Sequence, residues 1–117
     1  NKDFKSSNIA ESINAVKIAV HENISSITPE ELARLACMSY SKFRKIFKEY
    51  TGFAPAQYIQ EDRINIAKEI LTNTSRCIKE IAFELGYENR DYFFTVFRKV
   101  TGMTPVSYRK LTRGEDV

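Results

Sequence analysis

The chain has 117 residues, of which 43% are hydrophobic and 28% charged, as expected of a soluble globular protein with one compact domain or two very small ones. No apolar run approaches the about 20 residues needed to cross a bilayer, and no stretch has the order of a signal peptide, so we expect no membrane partner. A net charge of +3 permits an acidic partner without indicating one. Whether the chain binds such a partner therefore has to be judged from where the basic residues lie.

The first predicted helix follows a polar start. Residues 1–8 carry no apolar periodicity, and we interpret them as a linker from a longer protein or as the edge of a fragment. Ile9, Ile13, Val16 and Val20 then recur at three- and four-residue spacing, which predicts an amphipathic helix over residues 9–23.

Two further helices are predicted with a tight turn between them. Thr28 can cap the first, because Pro29 suits the opening position and a glutamate follows at the capping-box position. This short helix runs to about Cys37, and Ser39 offers the next cap. The third helix places four apolar residues on one stripe, which we expect to be buried, before a glycine suited to a left-handed cap: Phe43, Ile46, Phe47, Tyr50 and Gly52.

The middle of the chain predicts one longer helix from Pro55 to about Leu71, followed by a polar break over residues 72–75. At ~1.5 Å per residue it would span roughly 25 Å. Ala54 supplies no capping hydroxyl before this helix.

The last third repeats the earlier pattern. A short helix begins near Cys77 and stops at Gly86, and a second begins after Asn89 and ends at Gly102. Phe93, Val96, Phe97 and Val100 form the buried stripe of that second helix, and Thr104-Pro105 starts a final helix to about Leu111. Because no strand pattern of useful length is present, the sequence predicts an all-α fold with seven helices.

The repeat is visible in the letters of the sequence. "MSYSKFRKIFKEYTGFAP", residues 38–55, matches "YENRDYFFTVFRKVTGMTP", residues 87–105, with one extra residue in the second copy. Each copy supplies a short helix, a tight turn and a second helix, which is the layout of a helix-turn-helix. In such units the first helix braces the second, and the second enters the DNA major groove.

"EIAFELGYENRDYFFTVFRKVTGMTPVSYRK", residues 80–110, resembles the signature of the DNA-binding domain of the AraC/XylS family of bacterial transcription regulators. The first copy resembles the weaker version of that signature, and residues 63–71 resemble the family's connecting helix. The resemblance implies two homeodomain-like helix-turn-helix subdomains, joined by a long central helix and contacting successive major-groove segments. The implied boundaries are residues 9–53, 54–74 and 75–112, with a tail over 113–117.

The resemblance also suggests which side chains meet DNA, because they match family positions or lie opposite the buried stripes. We predict that bases are contacted by Ser41, Arg44, Lys45, Arg90, Asp91, Phe94 and Thr95. We predict that phosphates are contacted by Lys42, Lys48, Arg98, Lys99, Arg109 and Lys110, together with the amides at the helix starts near Pro55 and Pro105. For Phe94 the alternative is packing against the adjacent subdomain, and for Asp91 it is holding Arg90 in place.

Two departures from the family pattern concern the second copy. Cys77 stands where the family often has a capping hydroxyl, so we expect a weaker helix start. Its predicted recognition helix carries Asp91 and Phe94 rather than a uniformly basic and polar face, so we expect more charge-driven affinity from the first copy.

Family members usually carry a sensing domain that also dimerises, and the resemblance leads us to expect it upstream of Asn1. The alternative is a stand-alone regulator of similar size. Double-stranded DNA and RNA polymerase are the other expected partners, in the bacterial cytoplasm at the nucleoid, with activation as the expected effect. The competing interpretation is a helical protein–protein interaction module whose basic faces are only solvated.

An enzyme is disfavoured by the residues present. Two cysteines and one histidine, His21, form no CxxC motif and no cluster with metal-ligand spacing. No nucleophile–base pair or phosphate-binding loop is recognisable either. We expect two reduced thiols, with Cys37 in the core, and no metal, cofactor or catalytic residue.

Overall fold

Seven α-helices and no strand occupy the part of the chain that the structure, a computed structural model, describes: the backbone of residues 2–114 and the side chains of residues 8–114. This confirms the predicted all-α class. The helices are α1 (Lys2–Glu22), α2 (Pro29–Leu35), α3 (Tyr40–Thr51), α4 (Pro55–Asn73), α5 (Ile78–Glu84), α6 (Arg90–Thr101) and α7 (Pro105–Thr112).

Several helix limits differ from the sequence-based ones. The first helix begins at Lys2 rather than at Ile9, because a helix once formed gains a hydrogen bond for each residue added, even without apolar periodicity. Of the predicted tail, Arg113 and Gly114 form a turn, whereas residues 115–117, like Asn1 at the other end, lie outside the described residues. Among the described residues, none of the helices combines the length and apolar composition that a membrane span needs.

The chain divides into two compact units, Asn1–Gln60 and Glu61–Val117, with the division inside α4. The core of the first unit brings α1, α2 and α3 together with the start of α4. Phe47 contacts both Phe43, at 5.4 Å between ring centroids, and Tyr58, at 5.2 Å and perpendicular. The buried residues of this core are Ile13, Val16, Val20, Leu32, Ala33, Phe43, Phe47 and Ile59.

The second unit has its own core, built around a series of rings. Centroid distances are 5.2 Å from Tyr87 to Phe93, 5.8 Å from Phe93 to Phe97, and 5.5 Å from Phe97 to Tyr108. Burying each phenylalanine contributes about 1.5–3 kcal/mol, so these rings fix how α6 packs within its unit. The helices around them and the cap residue of α5 contribute the buried Ile64, Ala67, Leu71, Ile81, Ala82 and Leu85.

Two residues expected to be buried are exposed. Tyr50 keeps 47% of its surface accessible, although it continues the stripe of Phe43 and Phe47. Periodicity gives the angular position around a helix axis but not how far along that axis the neighbouring helices extend, and Tyr50 lies in the last turn of α3. Cys37 is also exposed rather than in the core.

The exposure of Cys37 follows from its place in the turn of the first helix-turn-helix. Its φ is +57°, and Gly86, at the matching place in the second unit, has φ +98°. In both turns the next amide bonds back to the short helix, from Met38 N to Ala33 O and from Tyr87 N to Ala82 O, each at 3.0 Å. The left-handed residue ends the short helix and lies in the connecting turn, where the Cys37 side chain is exposed.

Candidate nucleic-acid interface

The start of α3 is fixed by Ser39, whose hydroxyl accepts a hydrogen bond from the Lys42 amide at 3.3 Å. From there Phe43 and Phe47 are drawn into the core of the first unit, and this sets the rotation of the helix about its axis. The predicted DNA-contacting residues of this helix are therefore all exposed: Ser41, Lys42, Arg44, Lys45 and Lys48.

A shallow surface groove of about 430 Å³ gathers most of these side chains, with Tyr40 added. Ser41, Arg44, Lys45 and Lys48 line it, so the structure brings together all three predicted base-contacting residues of α3 and one predicted phosphate contact. Lys42 is exposed but is not among the lining residues. The arrangement concentrates positive charge on a concave surface, which favours an anionic partner.

The start of α6 is fixed in the same way. Asn89 Oδ1 accepts a hydrogen bond from the Tyr92 amide at 2.8 Å, and Phe93, Val96 and Phe97 are buried. Both helices end alike as well. Thr51 and Thr101 each donate to a carbonyl four residues earlier at 2.8 Å, and left-handed glycines with φ of +83° and +82° follow them.

The outward surface of α6 differs from that of α3 in chemistry. Arg90, Asp91 and Thr95 are exposed, whereas Phe94 is half-buried. The Arg90 guanidinium lies 4.7 Å from the centroid of the Phe94 ring, a cation–π distance. Thr95 Oγ1 donates to the Asp91 carbonyl at 3.1 Å, and the hydroxyl oxygen can still accept a hydrogen bond. This surface therefore presents a stacked arginine, a carboxylate and a hydroxyl.

The four predicted phosphate contacts of the second unit fall into two pairs. Arg98 and Lys99 are exposed in the last turn of α6, as a phosphate contact requires. Arg109 and Lys110 are half-buried. Arg109 Nε donates to the Leu71 carbonyl at 3.1 Å, and its Nη2 is buried without a partner among the described residues. The bond to Leu71 ties α7 to α4, so that nitrogen is already engaged within the protein.

Two basic residues that the sequence did not single out lie beside predicted ones. Arg76 and Lys79 line a surface groove of about 420 Å³ together with Arg90 and Arg109. Arg76 forms an ion pair with Glu84, and hydrogen bonding to that carboxylate raises the pKa of Arg76. In the sequence, the one feature that could have indicated Arg76 and Lys79 is their place at the start of the short first helix of the second repeat.

The described part of the second unit also carries a largely apolar groove of about 440 Å³. Phe83 lines it with 76% of its surface exposed, and Tyr87 and Arg90 contribute to its wall. The sequence indicates Phe83 only as part of the short first helix of the second repeat, because an apolar residue on an amphipathic helix gives no sign that its side chain is exposed.

The fold and the described surface can be compared with known proteins. The family model described as "Helix-turn-helix domain" matches residues 32–111. A solved transcriptional regulator of Chromobacterium violaceum, one of the AraC-type DNA-binding domain-containing proteins, has the same fold, with a TM-score of 0.76 at 23% identity over 94% of this chain and 96% of that one. The chain belongs to the AraC-type helix-turn-helix family.

The chain is also similar to one DNA-binding domain solved with DNA and to two curated regulators. The DNA-binding domain of AdpA, solved with a target DNA, has a TM-score of 0.78 at 27% identity over 91% of this chain and 93% of that one. The bifunctional transcriptional activator/DNA repair enzyme AdaA of Bacillus subtilis is 36% identical over 90 residues, 77% of this chain. The transcriptional activator RhaR of Mannheimia succiniciproducens is 40% identical over 72 residues, 62% of this chain.

These curated relatives are longer than the AraC-type domain itself. The chain spans 43% of the AdaA protein and 26% of RhaR.

The departure from the family pattern predicted at Cys77 is present in the structure, because this residue has the extended backbone of a helix cap but makes no capping hydrogen bond with its side chain. Thr104, by contrast, accepts from the Ser107 amide at 3.1 Å.

Proposed function

We propose that this chain binds double-stranded DNA at specific sequences by placing α3 and α6 in successive major-groove segments, as the DNA-binding part of a transcription regulator. The observation that carries this is the pair of matched second helices. Each is capped and terminated in the same way, each buries two matched phenylalanines (Phe43 and Phe47, Phe93 and Phe97), and each leaves its predicted contact residues largely exposed. The similarity to the AdpA domain solved on DNA supports the same conclusion.

In the first unit, α3 supplies the more basic surface. Arg44 is suited to a bidentate contact with O6 and N7 of a guanine, because its planar guanidinium offers parallel donors. Lys45 and Ser41 line the same groove and can donate to neighbouring bases. Lys48 and Lys42 would neutralise phosphates and release counterions, which gives affinity without sequence preference.

In the second unit, α6 carries fewer charged residues on its outward face, and its base contacts would come from Arg90, Asp91 and Thr95. Arg90, stacked on Phe94, loses less side-chain freedom on binding than a free arginine would, and its guanidinium edge can still donate to a guanine or a phosphate. Asp91 can accept from the N4 amino group of a cytosine. Thr95 can contact a base edge, and Arg98 and Lys99 can contact the backbone.

Engagement of both units on one duplex requires their recognition helices to reach major-groove segments about 34 Å apart. The α4 helix is continuous across the boundary between the units and has 19 residues, or about 28 Å at 1.5 Å per residue.

Further features of the whole protein follow from this proposal and remain predictions. Activation through RNA polymerase, an upstream sensing and dimerisation domain, and a place at the nucleoid in the bacterial cytoplasm suit a regulator of this family. The greater length of the curated relatives supports additional domains. We infer that the segment itself acts by binding rather than by catalysis.

Binding-site selection from random duplexes tests the proposal. We expect the chain to enrich one sequence with two separate blocks of preferred bases, and to bind it more tightly than random DNA in the presence of competitor. Enrichment of no sequence would instead favour a helical protein–protein interaction module with solvated basic faces.

A further inference from the structure

We propose that Tyr40 is a further DNA-contacting residue of α3, whose hydroxyl donates a hydrogen bond to a backbone phosphate oxygen. The inference rests on the proposed DNA binding and deepens it, because it assigns a contact at a position that the resemblance did not mark. It is carried by the register between the two recognition helices, by the surface that Tyr40 lines, and by the chemistry of a phenol.

The register between the helices is fixed at both ends. At the start, Ser39 and Asn89 are equivalent caps, each accepting from the amide three residues on. At the end, Thr51 and Thr101 make the same bonds before glycines of nearly equal φ. Since each helix has 12 residues, Tyr40 occupies the position that Arg90 occupies in α6.

The surroundings of Tyr40 place its ring on the DNA-facing surface. Its side chain is 40% exposed, and it lines the groove of about 430 Å³ formed with Arg44 and Lys48. Residues four apart on a helix are neighbours on one face, so Tyr40, Arg44 and Lys48 form a single ridge. A duplex seated on Arg44 and Lys48 would therefore meet Tyr40 as well.

The chemistry of tyrosine decides the kind of contact. Residues at the edge of a DNA-contacting surface meet the backbone, and tyrosine is among the side chains that donate to phosphate oxygens. A neutral phenol releases no counterion on binding, in contrast to Lys48. Tyr40 should therefore add affinity for every sequence while leaving the salt dependence of binding unchanged.

Tyr40→Phe tests this, with Tyr50→Phe as the matched control, since Tyr50 is an exposed tyrosine of the same helix outside the groove. The probes are a fluorescein-labelled duplex carrying the selected sequence and a random duplex of equal length. We expect Tyr40→Phe to weaken binding of both by about three- to tenfold, with an unchanged slope of log K against log salt concentration. The control should bind as the unsubstituted chain does.

A second variant copies the residue that the second repeat has at the equivalent position. Tyr40→Arg introduces the residue type found at the equivalent position of α6, and we expect it to tighten binding and to steepen the salt slope by about one. Unchanged binding by Tyr40→Phe, or a loss confined to the selected sequence, would overturn the phosphate contact. The proposed function fails separately, if the unsubstituted chain prefers no sequence.

Discussion

Arg44 and Lys48 lie one turn apart on the same exposed ridge of α3, yet their side chains suit different contacts. We expect Arg44→Ala to cost about 1–3 kcal/mol on the selected sequence and to relax the preference at one base pair, because a bidentate contact to guanine is lost. Anisotropy titrations on duplexes substituted singly at each base pair would measure both effects.

Lys48→Ala is the matched variant for that experiment. It should weaken binding to selected and random DNA alike and reduce the salt slope by about one, since it removes a phosphate contact. Titrations between about 50 and 200 mM salt would show the difference. The division of roles between guanidinium and ammonium would be wrong if both variants acted identically on the two kinds of DNA.

Tyr87 offers a prediction that is independent of DNA. Its side chain is 5% exposed, its hydroxyl is buried without a partner among the described residues, and burial raises its pKa from 10.0 to about 12. Below pH 10 the phenol of Tyr87 is uncharged in both the folded and the unfolded states. Between pH 10 and about 12 the unfolded state ionises first, so this tyrosine lowers the stability of the fold as pH rises.

The variant Tyr87→Phe removes that contribution. At pH 7 we expect its free energy of unfolding to equal that of the unsubstituted chain or to exceed it by up to about 1 kcal/mol, because a buried hydroxyl without a partner is lost. Its stability should fall less between pH 10 and 12. Urea unfolding across this range, with the exposed Tyr50→Phe as control, would measure both effects, and a clear loss of stability at pH 7 would contradict them.

At the level of the element, helix starts and buried stripes could be predicted because they depend on neighbours in sequence. Ser39 and Asn89 cap α3 and α6 as expected. The exposure of Tyr50 and the bond from Arg109 to Leu71 could not be predicted, since they depend on how far one helix extends along another. Four of the five predicted contact residues of α3, all except Lys42, line one groove because a helix face is itself a local pattern.

The start of α5 is the element with the clearest local weakness. Cys77 has the extended backbone of a helix cap, with φ −62° and ψ 134°, but its side chain makes no capping hydrogen bond. We expect Cys77→Ser to raise the free energy of unfolding of the second unit by about 0.5–2 kcal/mol, because the serine hydroxyl can accept from the Glu80 amide.

Thr28 provides the matched reversal, since its hydroxyl accepts from the Glu31 amide at 3.2 Å at the equivalent start of α2. Thr28→Cys should therefore destabilise the first unit by a similar amount. Thermal unfolding of both variants would measure the two changes. An unaltered midpoint for Cys77→Ser would show that another feature of this helix start limits its stability.

For the whole molecule, the duplicated unit is the feature that could be predicted most completely. The two matching stretches of sequence indicate two helix-turn-helix units, and the family match over residues 32–111 includes both. The sequence does not determine which bases are preferred, because the outward residues of α3 and α6 differ in charge and shape while the buried ones match. Specificity therefore resides in the surface positions on which the repeats diverge.

That divergence predicts an asymmetric target with two blocks of preferred bases about 10 base pairs apart, one for each recognition helix. Inserting about five base pairs between the blocks rotates one of them by half a turn, to the opposite side of the duplex. We expect the affinity to fall at least about tenfold, because the base contacts of one unit are lost and each good bidentate contact contributes about 1–3 kcal/mol. A duplex with the second block randomised, at unchanged length, is the control and should bind about as weakly as the insertion duplex. Equal affinity for the original and the insertion duplex would mean that a single unit accounts for recognition.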